Sequence, residues 1–359
     1  MAVSGRRGKG GNPVEALSMA ESRLNETERR VQQAFMKSGF FNGLALGGVV
    51  VAAYMVLREL PDRAARPHAE LPLRYAPVPL PTAAPPLRLA GAWRMEAGDR
   101  RFGGLSALVA DEDGFLAVSD LGAVARFDAP TASSPMVSVG DLRQGPGKPG
   151  KKSSRDAESI VHDPRGRGWW VGYEQHHSLW LYDEKFGRAV ASISLPKLGW
   201  PANRGVEGLL AGNGSLLALR ENGRQAIRIA SGEAQVMKLY RSAEIADAAT
   251  APDGSAWVLL RGKGLDGIGQ SVAPLHETPD GYRVGRRWPL PKAPFDNYEG
   301  MAIARRPDGR WRFWLVTDDG HRFMARTLLV ALDLEVPAAT HDKGPAQRAG
   351  PSKPSVEQP

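Results

Sequence analysis

Residues 155–183 read RDAESIVHDPRGRGWWVGYEQHHSLWLYD. A short strand opens on Glu158, a turn follows at Asp163-Pro164-Arg165-Gly166, and further strands run from Trp169 to Glu174 and from Ser178 to Tyr182. Turn residues set between two apolar runs mark a hairpin. The pattern recurs along the chain.

Aligned on their turns, five such units follow one another. Their first strands begin at Gly103 (GGLSAL), Ala157 (AESI), Val206 (VEGL), Ala246 (ADAA) and Tyr298 (YEGM). The second strands, FLAVSD, WWVGYE, LLALRE, AWVLLR and RFWLVTD, end on Asp120, Glu174, Glu221, Arg261 and Asp318. Two more strands can follow each time, as in SLWLYD then RAVASISLP. Four-stranded units at an irregular spacing of some tens of residues predict an all-β protein, a β-propeller. The fifth unit has a third strand, RTLLVALDL, and no fourth. RLAGAWRME, residues 88–96, is free to supply it and to latch the ring. The count is therefore five blades, or six if residues 262–295 form a blade of their own.

In a hairpin, the start of one strand and the end of the next lie at the same edge. That places Glu158 with Glu174, Glu207 with Glu221, Glu299 with Asp318, and Asp247 with Arg261, while Asp120 has no acidic partner. With the first strands innermost, these groups gather at one mouth of a central channel. The loops leading in bring Arg101, Arg155, Arg204 and the basic run Lys148, Lys151 and Lys152 to the same face. Crowded carboxylates raise one another's pKa unless cations offset them, and all-oxygen ligands suit Ca²⁺ or Mg²⁺. Taken singly, each acid reads as a bridge between neighbouring blades. Taken as a ring, they read as a functional mouth.

Outside residues 89–336 the chain changes character. Residues 1–37 are a basic tail with a helix expected from Asn12, where Val14, Leu17, Leu24, Val31 and Phe35 make a narrow apolar stripe suited to a juxtamembrane helix or a short coiled coil. Met36-Lys37 is an alternative start. Within residues 38–57, the uncharged run FFNGLALGGVVVAAYMVL (40–57) predicts a transmembrane signal-anchor, with cleavage near Ala53 as the alternative. The expected location is a bacterial inner membrane with the large domain in the periplasm. Residues 58–88 are Pro-rich and read as an extended spacer, and residues 337–359 as a disordered tail.

Of the formal net charge of +8, +3 lies in residues 1–37, +2 in 58–88 and +1 in 337–359, leaving +2 on the core. That is no nucleic-acid footprint. The chain has no Cys, which excludes disulfides, thiolate zinc sites, cysteine nucleophiles and a lipoprotein-type anchor. Gly145–Lys152 (GPGKPGKK) lacks the Ser or Thr and the helix of a phosphate loop, and Gly104-Leu105-Ser106-Ala107-Leu108 lacks the second Gly of a nucleophile elbow. Adjacent His176 and His177 read as surface residues, and His321 is the better mouth candidate. Trp169, Trp170, Trp257, Trp311 and Trp314 read as blade-packing residues.

GGLSAL with VSDLG, RDAESI with WWVGYE, NRGVEGL with ALREN, and DNYEGMAI with WLVTDD then RTLLVALDL together resemble the bacterial phytase-like family, "esterase-like activity of phytase", over about residues 100–334. The resemblance implies an exported propeller with phosphoester or ester hydrolase activity. Its acids would fall on Asp120, Glu158, Glu174, Glu207, Glu221, Glu299 and Asp318, while Gly320 and His321 stand where an Asn is usual. The expectation is a Ca²⁺-dependent hydrolase of a small anionic ester. Glu158, Glu207 and Glu299 would hold metal, Glu174 or Asp318 would take a proton from water, and Arg155 and Arg204 would bind phosphate. Asp120, Glu221, Asp247, Arg261 and His321 are further mouth candidates. The alternatives are a metal-dependent esterase or lactonase, and a non-catalytic propeller that binds a cell-envelope partner.

Overall fold

Strands alone make up the regular structure of the computed structural model, which describes residues 65–111, 114–196, 204–264, 267–292, 297–320 and 326–335. The N-terminal helix, the apolar run 40–57, the tail 337–359 and His321 lie outside the described residues. Among the described residues, no helix is long and apolar enough to cross a membrane.

Five four-stranded antiparallel meanders follow in chain order. The first is β3 (Leu105–Ala110), β4 (Gly114–Ser119), β5 (Ala123–Asp128) and β6 (Met136–Asp141). The second is β7 (Ala157–His162), β8 (Trp169–Tyr173), β9 (Ser178–Tyr182) and β10 (Ala189–Ser194). The third is β11 (Val206–Gly212), β12 (Ser215–Arg220), β13 (Gln225–Ala230) and β14 (Glu233–Tyr240). The fourth is β15 (Glu244–Thr250), β16 (Ala256–Gly264), β17 (Gly267–Thr278) and β18 (Gly281–Val284), with β19 (Trp288–Pro289) also on β17. The described part of 262–295 thus extends the fourth meander. The fifth is β20 (Asn297–Arg305), β21 (Trp311–Asp318), β22 (Leu328–Leu334) and, from the other end of the chain, β2 (Leu87–Ala97). The strand expected from RLAGAWRME therefore pairs where the count requires it.

Alternation along the second strands explains why the meanders stack. Successive strand residues point to opposite faces, so Trp169 joins one apolar cluster with Leu116 and Ile160, while Trp170 joins another with Val206 and Ile227. Leu217 and Leu219 meet Ile245 and Val258, Leu259 meets Met301 and Phe313, and Val316 meets Leu105 and Phe115. Each cluster lies between two consecutive meanders, and the last joins the fifth to the first. Burial falls outward: β7 and β11 are buried along most of their length, whereas β10 and β14 are largely exposed.

The Pro-rich segment departs from its expected role. Residues 69–77 are not a spacer but strand β1 (Ala69–Pro77). Its first half pairs with β6 and its second half with β2, so each half has one neighbour and an open edge. A strand with an open edge tolerates the missing N–H of Pro72 and Pro77. Leu73, at the changeover, is buried with Met95 and Val137. A second join is polar. Asp333 on β22 is buried and receives Arg88 of β2 at 2.7 Å, Arg312 of β21 at 2.7 Å and Arg306 at 2.9 Å.

Candidate functional site

Near the start of every first strand, pairing with the second strand slips by one residue. The residue left without a partner is Ser106 in β3, Glu158 in β7, Glu207 in β11, Ala246 in β15 and Glu299 in β20. A bulge re-aims a side chain, and in three of the five the re-aimed side chain is a buried glutamate. The first strands also come unusually close. A Cβ on Gly300 would meet the Ala107 carbonyl carbon at 2.9 Å, and one on Gly208 would meet the Ala248 Cβ at 2.9 Å. A glycine after the bulge is therefore a steric requirement in β11 and β20.

In the fourth meander the bulge falls on Ala246, one place early. Asp247 consequently points between strands, where it accepts the Ala248 N–H at 2.7 Å and the Met301 N–H of β20 at 2.6 Å. It is a bridge between meanders. Burial pushes its pKa well above the ordinary carboxylate range.

The remaining acids converge. Asp156, Glu158 and Glu174 offer carboxylate oxygens within 4.8 Å of one another. Lys152 places its ammonium 2.9 Å from Glu158, 3.0 Å from Asp156 and 3.7 Å from Asp120. Burial and the charges of Glu158, Glu299, Glu174 and Glu221 push Glu207 well above its ordinary value. Burial raises Asp120, Glu174 and Asp318 as well, and lifts Glu299 to about 8 against the pull of Arg261. Glu158 goes the other way: burial is outweighed by Lys152, Asp156 and Ser106, which hold it below its ordinary value. Carboxyl groups whose pKa values are pushed apart can hold and release a proton within one site.

Arg261 closes the other side of the rim. Its guanidinium meets Glu299 at 2.6 Å, Glu221 at 2.7 Å and Glu244 at 3.8 Å, and Asn297 also donates to Glu299.

The acids fit a hard cation. Asp156 is fully buried, with the Lys152 ammonium 3.0 Å from Oδ1 and its carboxyl in hydrogen-bond contact with those of Glu158 and Glu174. Burial and the adjacent Glu158 push its pKa far up. A buried carboxylate facing two others needs a proton or a cation between them, and an all-oxygen set suits a divalent ion of the Ca²⁺ or Mg²⁺ type.

Residues 100–321 match a family described as phytase-like, esterase-like activity of phytase. This chain belongs to the phytase-like family. The matched span begins just before β3 and takes in every acid of the rim.

Among curated proteins, none matches the sequence. Solved structures similar to this phytase-like chain include the PQQ-bound aldose sugar dehydrogenase of Streptomyces coelicolor, at 12% identity over 73% of this chain and 98% of that one, with a TM-score of 0.44. The glutaminyl cyclase of Myxococcus xanthus is similar at 12% identity over 69% and 97%, with a TM-score of 0.42. The hydrazine synthase of Kuenenia stuttgartiensis is similar at 16% identity over 60% of this chain, with a TM-score of 0.34, and the chain spans 56% of its length.

Several expectations change on this phytase-like frame. Arg155 does not face the mouth. It is buried, and its guanidinium donates to the carbonyls of Leu142, Pro146, Gly145 and Gly147, at 2.6, 2.8, 3.2 and 2.5 Å. It fixes the basic loop from which Lys152 reaches the acids. Arg204 is half-buried, near enough to Arg220 for the like charge to help lower the latter's pKa after burial. The close carboxylate trio is Asp156, Glu158 and Glu174, whereas Glu299 is held by Arg261 and Asn297, so of the expected ligands only Glu158 belongs to it. Asp318 accepts the Gly320 N–H at 2.5 Å, and the neighbouring Asp319 accepts from Gly104 and Thr327.

Sequence reasoning passed over Asp156, and it brought Lys152 to this face without singling it out from its basic run. Asp156 stands two positions before Glu158, the spacing at which strand side chains share a face. That signal was present. Nothing in the sequence distinguishes Lys152 from Lys148 and Lys151.

Proposed function

We propose that the five meanders are the blades of a closed five-bladed propeller and that its acidic mouth hydrolyses a small anionic ester, a phosphate ester first, with a bound Ca²⁺. The ring reading is supported by the order of contacts among the first strands, β3 to β7, β11, β15, β20 and back to β3, and by an apolar cluster at every interface. The chemical reading is carried by Asp156, a fully buried carboxyl packed against those of Glu158 and Glu174, with Lys152 the ammonium beside them.

Asp156, Glu158 and Glu174 would hold the ion. When bound it would polarise the ester oxygen and lower the pKa of a coordinated water. Lys152, still partly exposed, and Arg261 are the cations at the rim that meet the negative charge of the substrate. Asp318, raised by burial despite Lys152, takes the proton of the attacking water. The family's description favours a second reading, a carboxylate-ester or lactone substrate at the same acids. We also propose that residues 40–57 anchor the chain in the membrane with this domain in the periplasm.

Full-length protein incubated with phosphate-ester, carboxylate-ester and lactone substrates, after EDTA and after Ca²⁺ return, tests the proposal. Turnover of a phosphate ester that EDTA abolishes and Ca²⁺ restores is expected. Turnover only of a carboxylate ester or lactone transfers the site to the second reading, and no turnover of any class sinks both in favour of a non-catalytic binding propeller.

A further inference from the structure

Where β14 of the third meander runs parallel to β18 of the fourth, joining the two sheets through residues 238–240 and 281–283, the surface opens into a cleft of about 600 Å³. It is lined by Arg224, Lys238, Arg241 and Arg283, with Tyr240 and Ser242 as polar neighbours and Leu239 and Val284 as an apolar wall. No acid lines it.

Part of the positive charge that lines the cleft is neutralised and part is not. Lys238 is neutralised from outside the cleft by Asp280, at 2.9 Å, which also accepts from Tyr240 at 2.7 Å. Arg241 is fixed in place: its guanidinium donates to the carbonyls of Gly223 at 2.6 Å and Ala243 at 2.5 Å and to Asn222 at 2.9 Å. Three of its five N–H groups are used, which leaves two for a ligand. Burial, together with Arg220 and Arg224, holds Arg241 below the ordinary arginine value in spite of Glu244. Arg283 lies over the Tyr240 ring at 4.5 Å, and among the described residues neither it nor Arg224 has a carboxylate partner.

The cleft also adjoins the acidic mouth. Arg241 binds Asn222, Asn222 reaches Glu244 at 3.4 Å, and Arg261 lies 3.8 Å from Glu244 and 2.7 Å from Glu221. A relay of contacts through Asn222, Glu244 and Arg261 thus links the basic cleft to the acidic mouth.

We propose that this cleft is a binding site for a phosphate group carried on a small organic molecule or a lipid, held by Arg224, Arg241 and Arg283. Planar guanidinium groups grip phosphate oxygens in pairs, and three of them match a dianion better than a single carboxylate. Leu239 and Val284 give the cleft a surface for the organic part. The site needs no metal and stands whether or not the mouth is catalytic.

Calorimetric titration of the full chain with inorganic pyrophosphate in EDTA, and flotation with phosphatidylglycerol against phosphatidylcholine vesicles, test it. The wild type is expected to bind pyrophosphate, and Arg224→Ala/Arg283→Ala to weaken binding about tenfold or more, since each lost charge-assisted hydrogen bond carries on the order of a tenfold change. Arg165→Ala, an exposed arginine on the turn of the second meander, leaves the titration unchanged. Both substituted arginines are exposed, so the double variant keeps the thermal midpoint of the wild type. Loss of phosphatidylglycerol binding in the double variant, without pyrophosphate binding by the wild type, identifies a lipid phosphate as the ligand. A double variant that binds both probes like the wild type, or a wild type that binds neither, overturns the proposal.

Discussion

Asp247 and Glu207 hold the same nominal place in consecutive units, yet one ties two strands together and the other faces the mouth. The difference is a single residue of bulge position, which alternation alone does not reveal. Asp247→Ala should lower stability by about 1–3 kcal/mol, because the Met301 N–H is left buried without an acceptor, and should leave Ca²⁺ binding unchanged. Chemical denaturation and calorimetry on one preparation check both halves. Lys152→Met makes the opposite test. Without the ammonium, Glu158 and Asp156 lose their counter-charge, so the metal-free variant should melt earlier and gain more from Ca²⁺ than the wild type does. A smaller gain would show that the lysine assists the ion. The acids at hairpin edges were readable because strand ends have fixed positions. Arg155 was misread because an arginine that binds carbonyls and one that binds phosphate look the same in one dimension.

The hairpin that opens the second meander was legible almost residue by residue, and its turn shows why. Asp163 is buried at the turn and accepts from Arg167 at 2.8 Å and from the Trp170 indole at 2.7 Å, while Gly166 takes a φ of 67°. The Arg167 hydrogen bond holds the Asp163 pKa down to about 2 against an ordinary 3.8. A depressed carboxylate stabilises the fold above its unfolded value and ceases to do so as pH falls. The wild type should therefore lose stability relative to Asp163→Asn as pH drops from about 4 towards 2, a difference that acid titrations followed by circular dichroism would register. The Pro-rich segment was not legible. Prolines argue against a strand only where both edges are paired, and β1 changes partner halfway. A chain starting at residue 98 leaves β22 paired on one side only, with β21, and removes Leu73, Leu87 and Met95 from the core. It should fail to unfold cooperatively, whereas one starting at residue 65 should keep a single sharp transition.

Across the whole molecule, the rim stores protons. Asp120, Glu174, Glu207, Glu299 and Asp318 all have folded pKa values above those of the unfolded chain, and Glu158 alone among these mouth acids lies below. Between the ordinary carboxylate values and about 8, the folded metal-free protein keeps protons that the unfolded chain has released, so stability declines as pH rises. The melting temperature in EDTA should fall between pH 5 and pH 8, and Ca²⁺ should flatten that slope; a melting temperature that climbs over this range would contradict the raised values. The fifth meander has a different consequence. Arg88 emerges from the ribosome long before Asp333, the acid it meets 245 positions later. Contacts so distant in sequence form slowly, and the nascent polypeptide carries an unmatched β2 until β22 has emerged behind it. For an exported chain, β2 would cross a translocon ahead of its partner and wait there unpaired before the molecule could lock shut.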